Sequence, residues 1–153
     1  MIKYLVMDVD GTLTDGKIYM SHSGEAMKAF NIKDGCGIRE ILIPSGIIPV
    51  IITGRNSKIV LNRCEELGIT QVYQGQTDKL NKLKEITTEL KFVAYIGDDI
   101  NDLVCMKAVK AAGGKVGCPA DAVEDVKEIA DYIAQRCGGD GAVREFIGWI
   151  VTN

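Results

Sequence analysis

The architecture is set by one run near the start of the chain, Lys3-Tyr4-Leu5-Val6-Met7-Asp8-Val9-Asp10-Gly11. Its nearly continuous apolar stretch, Lys3–Val9, is typical of a strand that is buried on both faces of a sheet. The Asp10-Gly11 pair marks the turn at which this strand stops. The sequence therefore predicts a buried strand with two acids at its carboxyl end.

Short apolar runs alternate with helical patterns along the whole chain, which is the signature of βα units. Further strands are predicted at Ile47–Ile52, Val72-Tyr73, Phe92–Ile96, Lys115-Val116 and Tyr132-Ile133. Helices are predicted around Ile38–Leu42, from Ser57 to Gly68, from Lys79 to Leu90, over Leu103–Val109, over Val123–Ile129 and from Ala142 to Ile150. We therefore predict a single α/β domain spanning residues 1–153, built on a doubly wound, Rossmann-like parallel sheet.

Two segments depart from the βα pattern. Two short apolar runs within about 17–30 surround Ser21-His22-Ser23-Gly24, which predicts a protruding β-hairpin with a four-residue loop. The glycines of Gly138-Gly139-Asp140-Gly141 predict a flexible link before the last helix.

The composition excludes several classes of protein. A net charge of −3 and a pI near 5.2 argue against nucleic-acid binding. No apolar run approaches the roughly 18 residues needed to cross a bilayer, so no membrane partner is expected. The five cysteines are irregularly spaced and His22 is the only histidine, so neither a disulfide framework nor a histidine-rich metal site is expected. We expect reduced thiols and a cytoplasmic location.

Polar side chains follow the carboxyl ends of the predicted strands, which is where open α/β sheets bind ligands. They are Asp8, Asp10, Thr53, Asp98 and Asp99, with Lys79 at the start of a helix and Asp102 one turn beyond Asp98. Carboxylates this close repel one another, and a bound Mg²⁺ commonly offsets that repulsion in proteins. One carboxylate can attack phosphorus while a second moves the leaving-group proton and a lysine neutralises the phosphoryl oxygens. The pattern therefore predicts Mg²⁺-dependent phosphoryl chemistry.

Each of these signals also has a simpler interpretation when it is taken alone. Asp10-Gly11 can be an ordinary turn, and Asp98-Asp99 can simply cap a helix. A second class of function is a phosphoacceptor signalling domain, which also combines acids, a lysine and Mg²⁺ on a doubly wound sheet. Such a domain is phosphorylated at the end of its third strand, where this chain has Tyr73-Gln74-Gly75. The ordered combination at several strand ends favours an enzyme.

Four segments in this order resemble the motifs of the haloacid dehalogenase-type phosphohydrolases. They are Asp8-Val9-Asp10-Gly11-Thr12-Leu13-Thr14, Ile52-Thr53-Gly54, Lys79 and Gly97-Asp98-Asp99-Ile100-Asn101-Asp102. The resemblance implies that Asp8 is the nucleophile, that Asp10 is the general acid and base, and that Thr53 and Lys79 hold the phosphoryl group. It also implies that Mg²⁺ is bound by Asp8, Asp98 and the backbone carbonyl of Asp10, with Asp99 and Asp102 supporting these ligands from behind.

Many members of that family carry a cap domain between the first and second motifs or between the second and third. Both intervals are too short for a cap in this chain, because the first holds only the hairpin and one helix. A capless member acts on a large substrate or relies on neighbouring subunits to close its site.

Five further segments are Ala29–Arg39, Ile52–Arg55, Asn62–Cys64, Tyr73–Gln76 and Gly138–Glu145. Together they resemble the branch of the family that dephosphorylates 2-keto-3-deoxy sugar acids for lipopolysaccharide biosynthesis. This resemblance implies a small anionic sugar-acid phosphate as substrate and a homotetramer with active sites completed by neighbouring subunits. Besides Asp10 and Lys79, the implied substrate contacts are Asn31, Ile32, Lys33, Asp34, Gly35, Arg39, Arg55, Arg63 and Arg144. Nine-carbon sugar-acid phosphates such as the nononate and neuraminate esters are the alternative. Arg55 favours the eight-carbon octulosonate, because the nine-carbon enzymes carry Glu at that position.

Overall fold

A six-stranded parallel sheet forms the centre of the protein in the computed structural model, which describes residues 1–153. Its strands are β1 (Tyr4–Met7), β4 (Ile48–Ile52), β5 (Gln71–Tyr73), β6 (Val93–Ile96), β7 (Lys115–Cys118) and β8 (Tyr132–Ile133). Their order across the sheet is β5-β4-β1-β6-β7-β8, and every neighbouring pair is parallel. The run at the start of the chain therefore lies between β4 and β6, as its continuous apolar character requires.

Helices cover both faces of this sheet. They are α1 (Ile32–Cys36), α2 (Lys58–Leu67), α3 (Lys79–Ile86), α4 (Leu103–Ala111), α5 (Glu124–Ile129) and α6 (Ala142–Thr152). Side chains alternate along β1, so Leu5 and Met7 join the apolar core beneath α2 and α6 while Val6 joins the core beneath α3, α4 and α5. This arrangement confirms the predicted doubly wound α/β fold. None of the helices is long and apolar enough to span a bilayer.

The segment between β1 and β4 holds the hairpin and a short helical region, and no cap domain is present. The hairpin pairs β2 (Tyr19–Ser21) with β3 (Gly24–Met27) as a separate antiparallel sheet. Its loop contains two residues, where a four-residue loop was predicted, because Ser21 and Gly24 already pair in the ladder. Gly24 has a φ of 119°, which suits glycine at this tight reversal.

Several boundaries differ from the sequence-based expectations. The helix predicted around Ile38 is a π-helical turn, Gly37–Leu42, that continues α1 and passes into a 3₁₀ turn. Helix α3 ends at Ile86 instead of Leu90, because Thr87 adopts an extended conformation. By contrast, α2 begins at its expected Ser57 cap and ends at Gly68, whose φ of 76° gives a left-handed helix terminus.

The glycine-rich segment before α6 packs tightly against the β1 loop, whereas the sequence predicted a flexible link. The N–H of Gly138 donates to Asp121 Oδ1 at 3.0 Å, and the N–H of Gly139 donates to the carbonyl oxygen of Thr12 at 3.1 Å. A Cβ at Gly138 would collide with the carbonyl oxygen of Gly11. The glycines are therefore needed because two backbone segments approach closely. A glycine-rich composition does not distinguish this packing role from a flexible link.

Candidate active site

One polar cleft of about 270 Å³ lies at the carboxyl edge of the sheet. Parallel β1, β4 and β6 end side by side there, so Asp8, Thr53 and Asp98 lie close together although they are far apart in sequence. The cleft is lined by Asp8, Asp10, Gly16, Thr53, Gly54, Arg55, Asp98, Asp99 and Asn101, none of which is hydrophobic. Such a surface suits a highly charged, hydrophilic ligand.

Lys79 lies beneath this cleft at the start of α3, where Asp78 caps the helix. Its Nζ is 3.1 Å from Asp8 Oδ1 and 3.0 Å from Asp102 Oδ1, and all three side chains are buried. Burial alone would lower the pKa of the Lys79 ammonium, but the charges of Asp8 and Asp102 outweigh burial and raise it. The protein therefore holds a fixed positive charge beside the Asp8 carboxylate.

Asp102 holds this lysine in place. Its Oδ1 also accepts a hydrogen bond from the hydroxyl of Tyr95 at 2.8 Å, and its Oδ2 accepts one from the backbone N–H of Asp98 at 3.2 Å. Both oxygens of this fully buried carboxylate are thus engaged by protein donors. A side chain at Gly97 would overlap the Asp102 carboxylate, which explains the glycine before Asp98.

Three carboxylates concentrate negative charge in the cleft. Oxygen atoms of Asp8, Asp98 and Asp102 lie within 4.8 Å of one another. Burial first, and then the charge of Asp102, raise the pKa of Asp8 well above its usual range. Burial is also the main cause that raises the pKa of Asp98 to about 6, and the hydroxyl of Thr12 donates to its Oδ1 at 2.9 Å. One ammonium does not balance three acids, and an all-oxygen donor set of this kind suits a hard divalent cation.

Thr53 presents a hydroxyl that makes no hydrogen bond within the protein. Its backbone is fixed, because its N–H donates to the carbonyl oxygen of Tyr73 at 3.0 Å and its carbonyl oxygen accepts from the N–H of Gln76 at 3.1 Å. The buried side chain borders the cleft and is free to donate to a ligand. Arg55, two residues further along, also lines the cleft.

Asp10 forms an ion pair that the sequence analysis missed. The Nζ of Lys28, one residue beyond β3, lies 2.5 Å from Asp10 Oδ1 and 2.7 Å from Glu25 Oε1. Partial burial opposes ionisation of Glu25, but the Lys28 ammonium and the nearby Ser57 hydroxyl lower the pKa of its carboxyl. No sequence signal places the hairpin over Asp10.

The sequence analysis also did not assign a role to Tyr95. A signal for it exists, because a tyrosine within a buried strand needs a partner for its hydroxyl.

Most of the predicted substrate contacts lie outside this cleft. Asn31, Asp34, Gly35 and Arg63 line a separate pocket at the N-terminus of α1. Ile32 and Arg39 are exposed beside it, and Lys33 and Arg144 meet where Arg144 Nη1 donates to the carbonyl oxygen of Lys33 at 3.2 Å. We call these eight residues, Asn31–Gly35, Arg39, Arg63 and Arg144, the α1–α6 group. Among the predicted basic substrate contacts, only Arg55 lines the cleft, and Lys79 lies directly beneath it.

Asp34 joins the two helices of the α1–α6 group. Its Oδ1 accepts a hydrogen bond from the backbone N–H of Arg144 at 3.0 Å, and its Oδ2 is buried without a partner. Burial raises the pKa of Asp34 to about 6, against a usual value of 3.8. Asp99, by contrast, is exposed at the cleft and accepts a hydrogen bond from the N–H of Ile100 at 2.7 Å, so it caps the following turn.

Comparisons with known proteins identify the relatives of the chain. No protein-family model matches it. The 3-deoxy-D-manno-octulosonate 8-phosphate phosphatase of Escherichia coli K12 is 46% identical over 148 residues, which cover 94% of this chain and 76% of the relative. The crystal structure of the Moraxella catarrhalis phosphatase of the same name, with a magnesium ion, a phosphate ion and KDO, superposes with a TM-score of 0.89 at 42% identity, covering 99% of this chain and 86% of that one.

A HAD-superfamily (subfamily III A) hydrolase from Legionella pneumophila superposes with a TM-score of 0.88 at 38% identity, covering 99% of this chain and 82% of that one. The doubly wound sheet and the acids at its carboxyl edge thus place the protein among the hydrolases of the haloacid dehalogenase superfamily. Within that class, the chain belongs to the 3-deoxy-D-manno-octulosonate 8-phosphate phosphatase family. This membership excludes the phosphoacceptor signalling domain that the sequence left open.

Proposed function

We propose that this protein hydrolyses 3-deoxy-D-manno-octulosonate 8-phosphate to the free sugar acid and phosphate, as a step in lipopolysaccharide biosynthesis. The observation that carries the proposal is the contact of Lys79 with Asp8 at 3.1 Å at the base of a cleft without hydrophobic lining. The names of the relatives support the eight-carbon substrate.

Asp8 is the nucleophile in this mechanism and Asp10 is the proton carrier. An oxygen of Asp8 attacks phosphorus, the bond from phosphorus to the sugar oxygen breaks, and Asp10 gives its proton to that oxygen. Asp10 then takes a proton from a water molecule, which attacks the aspartyl phosphate and releases phosphate. The Lys79 ammonium and the free Thr53 hydroxyl hold the phosphoryl oxygens throughout.

Mg²⁺ is the cofactor that fits this site. Asp8 and Asp98 would hold it together with the backbone carbonyl of Asp10, because the oxygens of Asp102 are already engaged by Lys79, Tyr95 and the N–H of Asp98. When bound, the ion neutralises negative charge on the phosphoryl group and on the acids around it. Asp102 acts instead by orienting Lys79, and Asp99 by capping the turn that carries Asn101.

Arg55 is the group within the cleft that we assign to the sugar-acid carboxylate, since a guanidinium binds a carboxylate through two parallel hydrogen bonds. The α1–α6 group contributes the remaining contacts to the site of a neighbouring subunit in a homotetramer. Apolar side chains on the hairpin region support such an assembly, because Ile18, Met20 and Met27 are 41%, 61% and 54% exposed in the single chain. All five cysteines are free thiols, which supports a cytoplasmic location.

A side-by-side assay tests the substrate. Phosphate release is measured from the eight-carbon octulosonate ester and from the nine-carbon nononate ester at equal concentrations, with Mg²⁺ present. A higher kcat/KM for the eight-carbon ester is expected, and a clear preference for the nine-carbon ester would overturn the assignment. Sedimentation of the active protein tests the assembly, since a fully active monomer would exclude shared sites.

A further inference from the structure

Lys28 is a buried cation that the proposed mechanism does not use. Its side chain is only 3% exposed, and its ammonium lies 2.5 Å from Asp10 Oδ1 and 2.7 Å from Glu25 Oε1. Ion pairs at a protein surface are loosely held, whereas a buried ammonium with two carboxylate partners has few alternative positions. The pair therefore fixes the geometry of Asp10 as well as the position of Lys28.

The far side of this ion pair is anchored to the loop that follows β4. The Ser57 hydroxyl and the Arg55 guanidinium both lie close enough to Glu25 to lower the pKa of its carboxyl. Ser57 is itself fixed, since it caps α2 and its N–H donates to the side chain of Gln74 at 2.8 Å. A continuous set of contacts thus connects Asp10 through Lys28 and Glu25 to the segment that carries Arg55.

We propose that Lys28 is a positioning residue that holds the Asp10 carboxylate in the orientation required for proton transfer to the leaving group. The inference rests on the proposed function, in which Asp10 carries that proton. Lys28 contacts Oδ1, whereas Oδ2 of this partly exposed carboxylate makes no hydrogen bond within the protein and can face the substrate. Proton transfer requires heavy atoms about 2.6–3.2 Å apart, so a carboxylate free to rotate into solvent would lose much of its effect.

The dependence of the rate on the leaving group separates this role from a merely structural one. A sugar alkoxide leaves slowly unless it is protonated, whereas p-nitrophenolate leaves without a proton. The value of kcat/KM reports the steps up to formation of the aspartyl phosphate, in which this proton is delivered. A residue that acts through Asp10 must therefore affect the sugar ester far more than p-nitrophenyl phosphate, and a residue that only supports the fold must affect both equally.

The experiment measures kcat/KM of the full chain with Mg²⁺ for both esters. Lys28→Met is expected to lose roughly 30-fold on the octulosonate ester and less than about threefold on p-nitrophenyl phosphate. The first loss is smaller than the roughly 10²- to 10⁴-fold that a general acid contributes, because Asp10 itself remains in place. Lys28→Met is expected to add no further loss on the octulosonate ester in an Asp10→Asn background. Lys17→Met, an exposed lysine of the hairpin region, is the matched control and is expected to match the wild type on both esters.

The outcomes distinguish the two proposals. An equal loss on both esters, or no loss on either, would overturn the positioning role while the activity of the wild type upholds the proposed function. A wild type that hydrolyses neither ester would overturn the proposed function and the positioning role with it. If Lys28→Met does not fold, Glu25→Gln is measured in its place. This substitution weakens the second ion pair of Lys28, so it must also lower kcat/KM for the octulosonate ester more than for p-nitrophenyl phosphate, by a smaller factor. Equal effects of Glu25→Gln on both esters would overturn the positioning role.

Discussion

The Nζ of Lys79 lies 3.1 Å from Oδ1 of Asp8, and neither side chain is open to solvent. This distance places a fixed positive charge where a phosphoryl group would meet Asp8, the proposed nucleophile. The orientation of Lys79 depends on its second contact, with Asp102 Oδ1 at 3.0 Å, and Asp102 is held in turn by Tyr95. The position of the Lys79 charge therefore depends on Tyr95, which lies in the sheet beneath the cleft.

Removal of the Tyr95 hydroxyl tests this support. Tyr95→Phe deletes a 2.8 Å hydrogen bond to a buried carboxylate, a contact of a kind that contributes roughly 1.5–3 kcal/mol. We expect kcat/KM for the octulosonate ester to fall about tenfold, which corresponds to about 1.4 kcal/mol of transition-state stabilisation. Tyr73→Phe is the control, because the Tyr73 hydroxyl makes only a 3.5 Å contact with Gln71. Equal activity in the two variants would exclude a role for the Tyr95 hydroxyl.

The raised pKa of Asp34 makes the stability of the protein depend on pH. Its pKa of about 6 exceeds the usual 3.8, so the folded protein binds this proton more tightly than the unfolded chain. The resulting stability is fully present below pH 4 and is lost as the pH rises through about 6. A shift of this size corresponds to about 3 kcal/mol.

Urea unfolding between pH 4 and 7.5 in the presence of a chelator measures this effect. Asp34→Asn removes the titrating group, and the Asn carbonyl oxygen can still accept the N–H of Arg144. We expect the free energy of unfolding of the wild type to fall more steeply with pH than that of the variant. Asp125→Asn, at an exposed position, is expected to parallel the wild type. Parallel curves for the wild type and Asp34→Asn would show that Asp34 titrates normally.

The fold was predictable where its signals are local. The apolar run of β1 and the two acids after it lie within nine residues of sequence, and the Ser57 and Gly68 caps of α2 each depend on a single residue type. The carboxyl edge of a parallel sheet then brings distant strand ends together without further information, as it does for Asp8, Thr53 and Asp98.

Two of the arrangements that were not predicted join segments that are distant in sequence. The pairing of Lys28 with Asp10 depends on the direction in which the hairpin folds, and no pattern within the hairpin encodes that direction. The separation of the α1–α6 group from the cleft likewise depends on how α1 and α6 pack against each other. The loop of the hairpin and the end of α3 were misjudged by a few residues, because Ser21, Gly24 and Thr87 tolerate more than one backbone conformation.

The close approach of Gly138 to Gly11 connects the glycine-rich segment to the loop beside the proposed metal site. In Gly138→Ala, the new Cβ would collide with the carbonyl oxygen of Gly11, in the loop whose Thr12 hydroxyl donates to Asp98. We expect a loss of about 1–3 kcal/mol in the free energy of unfolding, as overpacking typically produces, together with weaker Mg²⁺ binding. Calorimetry measures both quantities. Gly148→Ala, on α6 with open space around its Cα, is the control, and a Gly138→Ala protein as stable as this control would contradict the close approach.

Asp8 is the proposed nucleophile of a Mg²⁺-dependent phosphatase. The most direct test measures phosphate release from 3-deoxy-D-manno-octulosonate 8-phosphate by the wild type and by Asp8→Asn, each with Mg²⁺ and with a chelator. Asn cannot form the aspartyl phosphate and removes one carboxylate from the cluster of Asp8, Asp98 and Asp102. We expect phosphate release only from the wild type with Mg²⁺, and none above background in the other three conditions. Full activity of Asp8→Asn, or full activity of the wild type in chelator, would contradict it.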